Sequence, residues 1–199
     1  MYSRRKFLHI SVLAGMAFFL GLSTKAQLNM NSITPEQFHF KDDGKIPNSK
    51  HPLLLYRDAF ELYGDEGASW LEKQFKENNW HNSWRWGVFP YHHYHSTSHE
   101  VLGCFQGRAL LHLGGESGQK VEIHAGDIVI IPAGVGHKCV SHSPDFTVVG
   151  AYPNGSRYDL MRGKEGERPQ ADKNIAELPI PKKDPYMGKE GGLVLIWKD

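Results

Sequence analysis

The sequence predicts an all-β protein, built as a barrel or sandwich, with one short helical region ahead of it. Three observations carry that expectation. From Trp84 onward the apolar periodicity is two, in short runs of three to six residues. Glycine, proline and small polar residues break these runs at close, regular intervals, as in all-β folds. No stretch repeats at a period of 20 to 50 residues, which excludes solenoids and propellers.

The elements follow in order. Residues 1–26 read as an export signal: Arg4, Arg5 and Lys6 form a positive start, Ile10 to Leu22 a short apolar run, and Ser23-Thr24-Lys25-Ala26 a small-residue cleavage site. That run has 13 residues and is broken by Ser11, Gly15 and Gly21, against the roughly 20 needed to span a bilayer. Ser3-Arg4-Arg5-Lys6-Phe7-Leu8 resembles the bacterial twin-arginine signal, which implies export, to the periplasm, after folding. Cleavage after Ala26 removes Arg4, Arg5, Lys6 and Lys25 and no acid, taking the formal charge from +1 to −3. No membrane span is expected in the mature chain, and its charge gives no reason to expect nucleic acid.

Residues 27–52 are polar, carry three prolines and read as an irregular arm. Asp65 to Asn79 reads as a helix, with Trp70, Leu71 and Phe75 on one side and Glu72, Lys73, Lys76 and Glu77 on the other. Residues 27–83 thus form an arm and helix. The core is expected over 84–152, with strands at Glu100–Phe105, Ala109–Leu113, Val121–Ile123, Ile128–Ile131 and Phe146–Val149. Residues 153–199 form a Pro-, Gly- and Lys-rich extension expected to wrap the surface. Its apolar run Leu193 to Trp197 reads as a final edge strand, suited to pairing two copies as a homodimer.

Two spaced blocks carry the chemistry. Gly87 is followed after five residues by His93-Tyr94-His95, after four more by Glu100 and after six by Gly107. The second block is Gly126, Pro132, Gly134 and His137. Residues two apart on a strand share a face, so His93 and His95 project together and His92 the opposite way. Three imidazoles and one carboxylate leave open positions on an octahedral ion, as a bound substrate requires. His112, His124 and His142 read as ordinary surface or turn histidines, whereas His99 borders Glu100 and is placed at the mouth of a pocket. Arg85 and Tyr91 flank the first block as pocket-lining candidates, Arg85 to pin a carboxylate. Of the two cysteines, Cys104 falls in the core and Cys139, one step from His137 on the same face, beneath the metal; both are expected as buried free thiols.

The blocks resemble the two cupin motifs, G-x5-H-x-H-x4-E-x6-G and G-x5-P-x-G-x2-H-x3-N, with Ser141 in place of the final Asn. The resemblance implies a cupin jelly-roll (double-stranded β-helix) barrel with His93, His95, Glu100 and His137 as metal ligands. Ser141 is not a ligand position, so its departure bears on the hydrogen bonding around the site. Trp84-Arg85-Trp86-Gly87, His95 through Gly103, and Gly150-Ala151-Tyr152-Pro153 also resemble bacterial single-domain cupins of the YjlB-like group, which implies the fold and no particular activity.

With that ligand set the resemblance implies one divalent ion, iron, manganese, nickel, cobalt or zinc, acting on a small oxygenated molecule. Dioxygenase-like oxidoreductase chemistry is favoured over a decarboxylase, which would want a second acidic residue as proton donor; isomerases also occur with this set. The alternative is a non-catalytic module that captures a metal or small ligand. A ligand-sensing domain is disfavoured, because such barrels are usually joined to a DNA-binding helix-turn-helix.

Overall fold

Alternation along three neighbouring strands sets the architecture. Leu53 and Leu55, Leu102 and Cys104, and Val129 and Ile131 turn to one face of a large sheet and meet Ala109, Leu111, Leu113, Val121, Ile123 and Cys139 of a smaller one. Leu54 and Tyr56, Val101 and Phe105, and Ile128 and Ile130 turn to the other face, against helices and the C-terminal segment. The strands of the large sheet are therefore buried on both sides, which is why their sequences are nearly continuous apolar runs.

The structure, a computed structural model, describes residues 34–198; the export signal read over 1–26 lies outside them. In chain order the elements are β1 (Glu36–Phe38), β2 (Leu53–Tyr56), α1 (Gly64–Glu77), β3 (Trp80–Trp86), β4 (Glu100–Gln106), β5 (Arg108–Leu113), β6 (Gln119–His124), β7 (Ile128–Ile131), β8 (His137–His142), β9 (Thr147–Pro153), α2 (Gln170–Glu177) and α3 (Gly192–Ile196). The large sheet runs β1-β2-β7-β4-β9-β3 and the small one β6-β5-β8. All pairings are antiparallel. This is the two-sheet jelly roll that the alternation predicts. Among the described residues no helix is long and apolar enough to cross a membrane.

Helix α1 matches the stripe read from sequence: Leu71 and Phe75 are fully buried, and Asn78 and Asn79 end the helix with backbone bonds to its last turn. It docks on β4 at Gly103, where an added Cβ would stand 2.6 Å from a Leu71 methyl. Two motif glycines have the same steric logic. At Gly107 (φ +69°) an added Cβ would stand 2.7 Å from the Phe146 backbone, and at Gly134 (φ +91°) one would stand 2.3 Å from the Asn48 carbonyl oxygen. A side chain would be strained at both turns and would clash as well.

Three expectations need correction. The arm over 27–52 contains β1, and β2 follows directly, so the large sheet extends beyond residues 84–152. Residues 154–169, outside any helix or named strand, lead into a second helix, α2. Leu193 to Trp197 is not an edge strand but helix α3 with its C-cap. Strand alternation would bury residues 193, 195 and 197 alike, yet Leu193 and Trp197 are buried and Leu195 is 64% exposed, the i, i+4 pattern of a helix. The turn is nucleated by tertiary contacts: Gly192 N–H donates to the Tyr56 hydroxyl (2.6 Å), and Leu193 N–H to the Asp184 carboxylate (3.0 Å). The edge proposed for pairing two copies is thus not a strand.

Candidate metal centre

Glu100 opens β4 on the same inward parity as Leu102 and Cys104, so its carboxylate sits between the two sheets. His137 opens β8 in the small sheet. The turn Pro132-Ala133-Gly134 carries the chain between the sheets, as its composition predicts, and Gly134 N–H bonds the His95 carbonyl at 2.8 Å. His93 is held by an isolated bridge to His137, with both backbone bonds made (3.2 and 2.9 Å), rather than by a regular strand. Tyr94 makes the same kind of bridge to Met161, and its face is opposite to that of His93 and His95.

The four side chains converge. One nitrogen from each of His93, His95 and His137 lies within 4.8 Å of the others. Glu100 Oε2 stands 3.3 Å from His137 Nε2 and 3.6 Å from His95 Nε2. Two donors on one tetrahedral ion at about 2.0–2.2 Å stand about 3.4 Å apart, so these separations are those of a shared coordination sphere.

The far side of each ring is as informative. His93 Nδ1 faces the Tyr91 carbonyl (3.3 Å), His137 Nδ1 the Val135 carbonyl (3.1 Å) and His95 Nδ1 the Asp159 carbonyl in a short hydrogen bond. A carbonyl only accepts, so each Nδ1 carries the proton and each Nε2 turns a bare lone pair inward in the neutral ring. Three lone pairs and a carboxylate oxygen at these distances repel one another inside the protein unless a positive charge lies among them, either a proton that His95 shares with Glu100 or a cation that takes its place. The donor set therefore fits a divalent cation, and the backbone carbonyls supply the outer hydrogen bonds that orient metal-binding imidazoles.

Charges in the site follow from burial and proximity. Burial, with His137 and His95 nearby, pushes His93 down to about 2, so it is neutral at ordinary pH. Burial alone would raise Glu100, but attraction and hydrogen bonding from His95 and His137 outweigh it and hold the carboxyl below its usual range. Burial likewise works against a charged His95, and Glu100 and the Asp159 carbonyl more than offset it.

Four further residues complete the site, and sequence reasoning missed their roles. Tyr152, inward on β9, donates its hydroxyl proton to Glu100 Oε1 (2.9 Å) and accepts from Trp84 Nε1 (2.9 Å). The Trp84 indole lies flat on β9 because residue 150 is glycine; a Cβ there would meet the ring at 2.2 Å. Tyr158 stacks on Tyr152 (centroids 4.4 Å) and edges His95 (4.8 Å). Asp159 accepts from Ser96 N–H (2.6 Å) and, in a short contact, from the Ser96 hydroxyl. The extension expected to wrap the surface thus supplies one wall of the site. Trp84-Arg85-Trp86-Gly87 and Gly150-Ala151-Tyr152-Pro153, both set apart in the sequence, were the available signals.

The centre opens into a cavity of about 240 Å³. Trp84, Trp86, Val88, Phe89, Leu102 and Tyr158 make its apolar wall, and Glu100 is the one carboxylate among the described residues that line it. The other pocket-lining candidates lie elsewhere. Arg85 turns outward to α1, where it makes a bidentate pair with Glu72 (2.8 Å to each oxygen) and reaches Ser69. The irregular stretch around Pro90 breaks the parity that would have pointed it inward. Tyr91 stands behind His93, stacked on Phe89 and capped by Arg162. His99 faces the opposite way, its Nδ1 accepting from Ala133 N–H (2.9 Å) and its ring against Trp197. Cys139 packs in the core between the sheets and, like Cys104, is a free thiol. Of the histidines expected at the surface, His124 and His142 are exposed or half-exposed, whereas His112 is buried on β5.

Comparisons with known proteins agree with the motifs. A family model for the cupin domain matches residues 86–149. The uncharacterized protein YjlB of Bacillus subtilis is 47% identical over 163 residues, covering 81% of this chain and 96% of that protein. Among solved structures, procruciferin, the 11S globulin of Brassica napus, aligns over 39% of this chain with TM-score 0.33 and 16% identity. The chain spans about a fifth of that globulin, 20% of its length. A predicted oxalate decarboxylase from Thermotoga maritima aligns over 61% of this chain and 93% of its own, with TM-score 0.31 and 19% identity. With the cupin motifs in place and the Bacillus subtilis protein 47% identical along nearly its whole length, the chain belongs to the cupin superfamily, among the single-domain cupins like YjlB.

Proposed function

We propose that the chain is a metal-dependent enzyme of the cupin type, with one divalent ion held by His93, His95, His137 and Glu100, acting on a small oxygenated molecule. The observation that carries this reading is the cluster of three imidazoles, each ring fixed from behind by a backbone carbonyl, with the Glu100 carboxylate set against those of His137 and His95. Iron, manganese, nickel, cobalt and zinc all suit such donors, and the bound ion would supply Lewis-acid or oxygen-binding chemistry.

The residues around it set what can react. A cavity of about 240 Å³ lies below the range of about 300–1,000 Å³ usual for drug-sized ligands, which favours a small substrate. The wall of Trp84, Trp86, Phe89 and Tyr158 offers flat apolar faces for stacking. Tyr152 holds Glu100 through Oε1 and leaves Oε2 turned to the imidazoles. With no other carboxyl among the described residues lining the cavity, the second acidic residue that a decarboxylase would want as proton donor is not in place, and dioxygenase-like oxidation is the favoured reaction. The twin-arginine-like start supports action after export.

The test is elemental analysis of protein purified without oxygen or chelators, followed by oxygen uptake over a panel of small acids and diols. The expected result is near-stoichiometric iron or manganese and oxygen consumption that His137→Ala abolishes. A bound ion with no turnover across the panel favours the capture module instead. A protein that refuses added divalent ions overturns both readings.

A further inference from the structure

The segment that carries the metal centre has a second face. His93 pairs with His137 and His112 with Lys138, so strand alternation places His92, Lys138 and His112 in one row on the side away from the cavity. The turn after β5 folds Glu116 over that row. The rings of His92 and His112 meet edge to face with centroids 4.8 Å apart, and one donor atom from each of His92, His112 and Glu116 lies within 4.8 Å of the others.

His92 is the anomaly. Its side chain is only 10% exposed, yet among the described residues neither of its ring nitrogens has a hydrogen-bond partner. A buried imidazole normally satisfies at least one nitrogen, because leaving it dry costs about 1–3 kcal/mol. Its Nε2 stands 3.3 Å from Glu116 Oε1, outside hydrogen-bonding geometry but at the separation of two donors on one tetrahedral ion, about 3.4 Å.

We propose that His92, His112 and Glu116 form a second divalent-metal site, back to back with the first. Two imidazoles and a carboxylate suit a borderline ion of the zinc type with water in the fourth position. Glu116 is 74% exposed, so it can swing to close the donor set without disturbing the fold. Lys138 Nζ now pairs with Glu116 at 2.7 Å; it occupies the carboxylate in the ion's absence and is displaced when the ion binds. An ion here ties the Glu116 turn to the chain immediately before His93 and so braces the first site from outside.

Zinc titration of the chelator-stripped full chain, read as bound equivalents by equilibrium dialysis against saturating free zinc, tests this. The wild type should hold two equivalents, Glu116→Ala one, His137→Ala one, and the double variant none. Lys138→Met should raise affinity at the second site several-fold, which a purely structural role for the cluster would not do. His112→Asn should match Glu116→Ala; should it fail to fold, the exposed Glu116 variant still decides. A second equivalent that survives Glu116→Ala, or a wild type holding one equivalent that His137→Ala removes, overturns the proposal. One equivalent removed by Glu116→Ala and untouched by His137→Ala would sustain this site and remove the first.

Discussion

The two faces of the short run from His92 to His95 differ in how their histidines are supported. On the inward face, His93 and His95 each have Nδ1 turned to a backbone carbonyl, and His137 joins them in the same way. On the outward face His92 has neither nitrogen bonded, and its carboxylate partner rides on an exposed turn. Geometry held by the backbone is preorganised, whereas geometry held by a flexible glutamate is paid for on binding. The inner set should therefore bind an ion tightly and selectively, and the outer set weakly and reversibly.

That contrast can be broken by substitution. The largest effect is expected from His137→Ala: it removes a donor from the inner set, so the inner ion is lost from the purified protein while the outer set is untouched. Elemental analysis beside a zinc titration checks both halves. Replacing His92 by alanine should give the mirror image, with the inner ion retained.

The chemistry of the intervening strands gives a second test. Burial pushes the Cys104 thiol from 9.0 up to about 12, and burial likewise raises Cys139. A raised thiol pKa lowers the reactive thiolate at a given pH, for Cys104 by about a thousandfold. Labelling by a thiol reagent at pH 8 should thus be negligible for Cys104 in the native protein and rapid in denaturant. Fast native labelling of Cys104 would mean the space between the sheets is open.

A smaller effect is expected one shell out. Tyr152→Phe removes the hydroxyl that holds Glu100 Oε1 and leaves the ring stacked on Tyr158. Losses of this kind weaken metal affinity by about 10–100-fold, measured by competition with a chromophoric chelator, while affinity at the outer set stays constant. Smallest of all is Arg85→Ala. Its pair with Glu72 lies at the surface with both side chains partly exposed, so denaturant unfolding should shift by about 0.2–1 kcal/mol and metal content not at all. A fall in activity with Arg85→Ala would return that residue to the cavity.

What the sequence made legible, and what it hid, follows the range of the interactions. His93, His95, Glu100 and His137 were readable because strand parity and turn glycines act over a few residues, and Gly107 and Gly134 take the left-handed turns their spacing requires. Tyr152, Trp84 and Tyr158 were not, since their roles arise from β9 lying between β4 and β3, a pairing that no local pattern announces. Arg85 was misplaced because counting faces across Pro90 assumes a regular strand where the chain has none. The Leu193–Trp197 run has the composition of a strand, and Tyr56 and Asp184, far away in sequence, made it a helix by capturing its first N–H groups. His99 was drawn outward from Glu100 by Ala133 and Trp197 in the same long-range way.

The most direct measurement is X-ray absorption at the metal edge of the loaded Glu116→Ala protein, which isolates the inner set. Three imidazoles and one carboxylate in the inner shell, with ligand distances near about 2.0–2.2 Å, are the expected result. A shell with fewer than three imidazoles, or one unchanged by His137→Ala, would contradict the assignment of this centre.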